Sequence, residues 1–145
     1  KKNIRIKKAL AHEKKWGIKK IERYKSFNKK VNFKIKQLKE IIIKKHKQNS
    51  KLGCYTASSK GNTLLNCLKL KKNIIKLVSE NNKKKIGKFT PGTHIKIVDD
   101  RTFIDQKIEY ALLLSWNYKN FFLKKSEFIK KGGKFIVPFP KPHIK

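Results

Sequence analysis

The sequence contains few of the residues that cross-link a chain or bind a metal. It has 2 Cys and no Met in 145 residues. Two cysteines, Cys54 and Cys67, are too few for a disulfide framework, and neither stands in a CxxC pair or beside a His at ligand spacing. These features argue against a disulfide-rich secreted module and against a zinc module. A chain of this length buries roughly 70% of the surface that its unfolded form exposes, so one domain needs no such cross-link.

Long apolar runs are also missing. The longest nearly apolar segment, residues 110–116, is far shorter than the roughly 20 residues that cross a bilayer. The N-terminus lacks the apolar core of a signal peptide. We therefore expect a soluble, cytoplasmic protein with no membrane partner. Because the chain opens at Lys1 and not at Met, we also expect it to be part of a longer protein.

Acidic residues and arginine are scarce, whereas lysine is abundant. The chain has 40 Lys+Arg against 9 Asp+Glu, a net charge of +31, yet only 3 of the 40 are Arg. Such a charge is typical of phosphate binding, so a small basic nucleic-acid-binding protein, such as a ribosome-associated factor, is one interpretation. Base readout and phosphate clamping favour Arg, however, because its planar fork binds bidentately. The chain has 18 Ile and 11 Asn beside 37 Lys, which indicates a genome-wide drift of composition towards Lys, Ile and Asn and not selection at a site. We therefore interpret most lysines as solvated surface residues.

The first third of the chain, residues 1–50, has the pattern of helices. It contains no Pro and only one Gly, Gly17. From Ile21 the apolar positions recur every three or four residues, at Tyr24, Phe27, Val31, Ile35, Leu38 and Ile42. This spacing predicts an amphipathic helix of about 26 residues, and a shorter helix over residues 9–16 precedes it. We expect this segment to pack on the domain that follows; the alternative, a coiled coil, has few acidic partners to support it.

The remainder, residues 51–145, alternates short apolar runs with helical ones. We predict strands over residues 52–56, 74–78, 95–98, 108–114 and 134–137. We predict helices over residues 62–70, 101–107 and 117–131, with Asp99 or Asp100 as the cap of the second and Asn117 as the cap of the third. Residues 81–94 form a loop, and Pro138 and the prolines after it end the last strand. This alternation predicts an α/β fold with a doubly wound, mostly parallel sheet.

The turn between the first predicted strand and helix is the most informative motif. It consists of small and polar residues, Ser59, Lys60, Gly61, Asn62 and Thr63. A helix N-terminus offers unpaired N–H groups and a partial positive charge, and small residues there let a phosphate approach. Neither GxGxxG nor GxxxxGK[ST] is present. The turn either binds phosphate or only connects strand and helix tightly, with Asn62 or Thr63 as the cap.

Other polar candidates follow the later strands. Glu80 ends the second strand, where doubly wound nucleotide folds place a carboxylate on a ribose hydroxyl. The loop that follows contains Pro91 and Gly92, a type II turn signal, and its side chains can hydrogen-bond a sugar or a phosphate, or simply order the turn. Trp116 and Asn117 follow the most buried strand, and Trp116 either stacks on a base or sugar or plugs the sheet. The candidate binding residues here are Glu80, Thr90, Gly92, Thr93, His94, Trp116 and Asn117.

No catalytic residue and no metal ligand is predicted. His94 has no carboxylate near it in the sequence to orient it as a general base. The other histidines, His12, His46 and His143, are scattered, and no pair of them has metal-ligand spacing. The sequence therefore favours a binding role over catalysis.

Four motifs, in order, resemble the C-terminal domain of the sugar C-methyltransferase family. They are YTASSKGNTLLN at residues 55–66, KIGKFTPGTHI at 85–95, LLLSWN at 112–117 and GGKFIVP at 132–138. The resemblance implies a Rossmann-like domain that holds a nucleotide-diphosphate keto-deoxysugar, with nucleic acid an unlikely partner. It also implies an N-terminal zinc domain and a central S-adenosylmethionine domain in the same enzyme.

The resemblance also implies where the chemistry lies. In the family a base removes the proton alpha to the sugar carbonyl, and the enolate attacks the methyl group of S-adenosylmethionine. The family's Tyr-x-Glu-His stretch belongs to the central domain and is not present here. We therefore expect no cofactor in this chain, with S-adenosylmethionine and zinc held by the missing parts of the parent enzyme.

Two positions depart from the family pattern. Thr56 stands where the family usually has Gly, and Ser115 stands where it usually has Pro. A β-branched side chain at residue 56 disfavours the close backbone approach that tight pyrophosphate binding needs. Ser115 is the milder change.

Overall fold

In the computed structural model, which describes residues 2–145, two helices open the chain. They are α1, Lys2–Trp16, and α2, Ile21–Lys47. Gly17 separates them with a φ of +81°, in the left-handed region that glycine adopts without strain. The helix predicted from Ile21 is confirmed as α2. The shorter helix begins well before residue 9, so the predicted bounds of α1 are too narrow.

The apolar stripe of α2 is buried in its second half. Leu38 and Ile42 are fully buried, and Ile35 packs against the same core. Tyr24 and Phe27 are exposed, at 47% and 66%. The chain forms two compact units, one that ends at Phe33 and one that spans Lys34–Lys145. The division into segments 1–50 and 51–145 stays a prediction about domain organisation.

The second unit contains a six-stranded sheet. Its strands are β1, Leu52–Tyr55; β2, Ile75–Ser79; β3, Ile97–Val98; β4, Tyr110–Leu113; β5, Lys134–Val137; and β6, His143–Ile144. They lie in the order β3-β2-β1-β4-β5-β6, and every pair is parallel except β5 with β6. This arrangement confirms the predicted α/β fold with a mostly parallel sheet. Strand β6 was not predicted, because the prolines after Val137 indicated an end of regular structure.

The connections are α3, Ser59–Leu68; α4, Asp100–Asp105; a 3-10 helix, Trp116–Tyr118; α5, Lys119–Lys125; and α6, Glu127–Lys130. The predicted cap Asp99 is confirmed, because its Oδ1 accepts a hydrogen bond from the Thr102 N–H at 2.8 Å. The cap predicted for α3 is wrong. Ser58 caps that helix by accepting from the Gly61 N–H at 3.1 Å, and the helix therefore begins before Asn62.

The single helix predicted over residues 117–131 is also wrong. The chain is extended at Ser126, with a ψ of 135°, and the hydroxyl of this buried serine caps α6 through the Ile129 N–H. Serine competes for backbone hydrogen bonds and favours such caps over helix interiors. Asn117 lies exposed within the 3-10 helix and does not cap it.

The two faces of the sheet have different cores. One is aliphatic and includes residues of α2 and α3, and the other is rich in aromatic residues around Tyr55. Strands β1 and β4 are neighbours at the centre of the sheet. The chain continues from β1 to β2 on one side of this pair and from β4 to β5 on the other side. Ligands of open α/β sheets bind at this switch point, outside the carboxyl ends of the strands. No helix among residues 2–145 has the length and apolarity that spanning a membrane requires.

Candidate ligand site at the carboxyl edge of the sheet

The loop after β1 leaves the sheet at the switch point through a strained residue. Thr56 has a φ of +69°, which is uncommon for a β-branched side chain. Its N–H donates to the Ser79 carbonyl at 2.8 Å, and its hydroxyl donates to Ser115 Oγ at 2.7 Å. The two positions that depart from the resembled family are therefore hydrogen-bonded to each other.

Ser58 and Gly61 join the start of α3 to the end of β4. The Ser58 hydroxyl donates to the Leu114 carbonyl at 2.9 Å while it accepts from Gly61. A Cβ at Gly61 would collide with the Leu114 side chain and with Ser58 Oγ. Gly61 therefore allows the helix to pack closely on β4, which is a different role from the predicted approach to a ligand.

Glu80 and Lys85 clamp the same loop. The Glu80 carboxylate accepts from the peptide N–H groups of Ala57 at 3.0 Å, Asn81 at 2.9 Å and Asn82 at 3.2 Å. Lys85 Nζ lies 3.3 Å from Glu80 Oε2 and donates to the Ala57 carbonyl at 2.8 Å. These bonds occupy the carboxylate, so the predicted contact with a ribose hydroxyl requires their displacement.

The clamp also shifts the titration of Glu80. Burial alone raises the pKa of this carboxyl, but hydrogen bonds from backbone N–H groups and from Lys85 lower it, and the net pKa lies below the ordinary value of 4.5. The charged form is thus favoured in the fold. Lys85 was missed by sequence reasoning, because nothing in the sequence distinguishes it among 37 lysines.

A cavity of about 350 Å³ lies between the first turn of α3 and the loop that precedes β3. Three predicted site residues, Ser59, Asn62 and Thr90, line it. Apolar side chains of α3, β3 and the end of β4 also line it, and Lys85 and Lys88 are the charged residues among its walls. The structure thus brings together residues of two separate sequence motifs around one space.

The loop that carries Thr90 is ordered by its own polar groups. Thr90 is buried, and its Oγ1 lies 2.7 Å from Thr93 Oγ1 and accepts from the Ile95 N–H at 2.9 Å. Gly92 has a φ of +80°, as the second central residue of a type II turn requires. Asn66 of α3 donates to the Pro91 carbonyl at 3.1 Å and holds this turn against the helix.

The other predicted residues of this loop do not line the cavity. Gly92, Thr93 and His94 line a separate groove of about 640 Å³, together with Lys69, Lys71, Lys72, Lys76 and Lys96. His94 is exposed, and its ring stacks on Phe89 with the ring centres 5.8 Å apart. Gly92, Thr93 and His94 therefore line the groove and not the cavity, although Thr93 is hydrogen-bonded to Thr90.

Lys60 and Trp116 meet beside the start of α3. Lys60 Nζ lies 5.6 Å from the centre of the Trp116 ring, and that ring packs on Phe139 with the ring centres 5.1 Å apart. Thr63 is exposed, and its hydroxyl bonds back to the Ser59 carbonyl at 3.4 Å. Trp116 is thus half-buried under a lysine, and a cation over an aromatic face is an attractive arrangement.

Comparison with known proteins identifies the family. The model of the C-methyltransferase C-terminal domain family matches residues 1–140. C-methyltransferase NovU of Streptomyces niveus is 31% identical over 136 residues, which cover 93% of this chain and 32% of that protein. The chain thus spans about a third of the length of this relative, and the resemblance predicted from the four motifs is confirmed. The chain belongs to the C-methyltransferase C-terminal domain family.

Proposed function

We propose that this domain holds a nucleotide-diphosphate keto-deoxysugar while another part of the parent enzyme methylates a carbon of the sugar. The observation that carries the proposal is the pre-ordered loop after β1 at the switch point, next to a cavity. Doubly wound folds bind nucleotides at this position. Membership of the C-methyltransferase C-terminal domain family agrees with this role.

The start of α3 is the proposed site of the diphosphate. The first N–H groups of a helix have no partner within it, and they carry a partial positive charge. In α3 these are the N–H groups of Ser59 and Lys60, which precede the N–H of Gly61 that Ser58 caps. Lys60 adds a full charge beside them. Residues of this chain would bind and orient the sugar nucleotide and take no part in proton or methyl transfer.

The groups that carry out the transfer are placed elsewhere in the parent enzyme. Among residues 2–145, no three His, Cys, Asp or Glu side chains are grouped so as to hold a metal ion, so a zinc site does not fit here. We assign zinc, S-adenosylmethionine and the catalytic base to the N-terminal and central domains of the same enzyme. S-adenosylmethionine supplies the methyl group in that scheme. A cytoplasmic location agrees with two free cysteines, Cys54 and Cys67.

Calorimetric titration at physiological salt tests the proposal against the nucleic-acid interpretation. We expect one saturable site for a deoxythymidine diphosphate sugar. Binding of random RNA, in contrast, should fall by orders of magnitude as salt rises, as counterion release requires. A folded chain that binds RNA but no sugar nucleotide would contradict the proposal. Micromolar binding of S-adenosylmethionine would contradict our placement of that cofactor.

A further inference from the structure

A lysine-rich groove lies beside the cavity and shares the walls Leu65 and Phe89 with it. The groove has a volume of about 640 Å³ and runs between α3, the segment that leads to β2 and the loop before β3. A second groove, of about 400 Å³, adjoins it, because two lysines line both. We refer to the two grooves as the basic surface. Its exposed lysines are Lys51, Lys69, Lys71, Lys72, Lys76 and Lys96.

The lysines of the basic surface have no acidic partner. Among residues 2–145 the ion pairs are Lys85 with Glu80 and Lys130 with Glu127, and none of the six lysines takes part in them. No Asp or Glu is among the described residues that line either groove. A cleft lined by charges of one sign focuses the electrostatic potential and attracts the opposite charge. The basic surface therefore complements a negatively charged occupant.

The floor between these lysines is aliphatic. Leu70 and Ile95 are half-buried in the first groove, and Leu77 is half-buried in the second. The aromatic rings of the first groove, Phe89 and His94, stack on each other with their centres 5.8 Å apart, so one face of each is already covered. Single-stranded nucleic acid binds by stacking its bases on free aromatic faces. An aliphatic floor instead favours the apolar side chains of a peptide.

The chemistry of the lysines agrees with a peptide. No Arg is among the described residues that line the two grooves, although its planar fork is the group that clamps phosphates best. The occupant is not a second copy of this chain, because two chains of net charge +31 repel each other. The 9 Asp and Glu of the chain are also scattered, and only Asp99 and Asp100 are adjacent. An acidic segment must therefore come from a partner.

We propose that the basic surface is a docking site for an acidic peptide segment of a partner protein, in which aliphatic residues are interspersed with Asp and Glu. The aliphatic side chains of the segment lie on the floor of the grooves, and its carboxylates reach the lysines at the rims. The proposal is independent of the proposed function, because none of the six lysines lines the cavity or belongs to the start of α3.

The first test compares three fluorescently labelled probes on the full chain by anisotropy at physiological salt. They are a peptide of repeated Asp-Leu-Glu-Ser units, the same peptide with Ser in place of Leu, and an oligouridylate of similar length. We expect saturable binding of the leucine peptide. The serine peptide carries the same charge and should bind at least about tenfold more weakly, the loss for about one buried leucine. The oligouridylate should also bind more weakly than the leucine peptide.

The second test moves the same charge change between two places. The double variant Lys71→Glu/Lys72→Glu alters the basic surface, and Lys29→Glu/Lys30→Glu alters exposed positions on α2. Each lowers the net charge by 4, from +31 to +27. We expect the first to weaken binding of the leucine peptide at least about tenfold, and the second to stay within about twofold of native, because distant exposed charges are screened.

Circular dichroism checks that both variants fold, and if the first does not, the two peptides on the native chain decide the question. No binding of the leucine peptide, or equal binding of the two peptides, overturns the proposal. Equal losses in the two double variants overturn it as well, since the chain would then attract anions by its net charge alone. Tighter binding of the oligouridylate would assign the basic surface to nucleic acid, and a dimer in sedimentation that Lys71→Glu/Lys72→Glu dissociates would assign it to a second copy.

Discussion

The loops that follow β1 and β4 leave the sheet side by side, but they are held very differently. In the first loop, Thr56 is hydrogen-bonded to β2 through its N–H and to the segment after β4 through its hydroxyl. The Ala57 N–H donates to Glu80 in the segment after β2, and the Ser58 hydroxyl donates to the segment after β4. The second loop enters its 3-10 helix and α5 with no side-chain cap, and Tyr118 is 62% exposed. Strained backbone persists only where surrounding bonds over-determine it, and such places are typically functional. The comparison therefore singles out the loop after β1 as the pre-ordered part of the candidate site.

The largest expected effect comes from crowding the start of α3, where the first loop ends. Gly61→Val should destabilise the chain by about 3 kcal/mol, because the added side chain would collide with Leu114 where α3 packs on β4. Asn117→Val is the counterpart in the second loop, where the side chain is exposed, and should change the free energy of unfolding by no more than about 0.5 kcal/mol. Urea denaturation measures both. Similar stabilities for the two variants would remove the contrast between the loops.

The next effect concerns ligand binding. Lys60→Ala should weaken the binding of a deoxythymidine diphosphate sugar by about 1 to 3 kcal/mol, the range for a charge-assisted hydrogen bond. The fold should survive, because Lys60 is exposed. Lys131→Ala is the matched control, since Lys131 is also exposed but precedes β5, at the opposite edge of the sheet. Calorimetry compares the three proteins, and native affinity in a folded Lys60→Ala chain would remove this turn from the site.

A smaller effect is expected from removing the hydrogen bond between Thr56 and Ser115, which joins the two loops. Thr56→Val keeps the branched side chain in its strained conformation but removes the bond to Ser115, and Ser115→Ala removes the same bond from the other side. In a double-mutant cycle by urea denaturation, we expect the double variant to cost about 1 kcal/mol less than the sum of the single variants. Strict additivity would show that the two hydroxyls make no net contribution together.

The clamp on the first loop should weaken in acid. Because the pKa of Glu80 is lowered in the fold, its carboxylate contributes stability above the ordinary value of 4.5, and this contribution is lost as pH falls through the folded pKa. The stability difference between the native chain and Glu80→Gln should therefore be present at pH 7 and shrink below pH 4.5. Glu127→Gln, at an exposed ion pair, is the control for general charge effects. A difference that grows in acid would contradict the assigned direction.

Local patterns were sufficient for much of the fold but not for the site. The apolar spacing of α2, the buried run of β4 and the Asp99 cap all depend on near neighbours in the sequence, and they were predicted correctly. The cap of α3 was not, because Ser58 is oriented by a bond to the distant Leu114 carbonyl. Lys85 was missed for the same reason, since its partner Ala57 lies 28 residues away. The residues of the cavity come from α3, from β3 and from the segments that follow β1, precede β3 and follow β4, and only the sheet order brings these together.

The smallest expected effect comes from removing lysine charges that lie outside both loops. It tests whether affinity for the ligand depends on where the charges lie or on the net charge of the chain. Lys29, Lys30, Lys36 and Lys44 are exposed on α2 and belong to neither loop. Replacing all four by Gln lowers the net charge from +31 to +27, yet affinity for the sugar nucleotide should stay within a few-fold at physiological salt. Exposed charges beyond about 8 Å are largely screened there. The loss should grow at low salt, where screening weakens. If these four substitutions reduce affinity at physiological salt as much as Lys60→Ala alone, the bulk charge and not the loop after β1 draws the ligand, and the nucleic-acid interpretation of the lysines regains support.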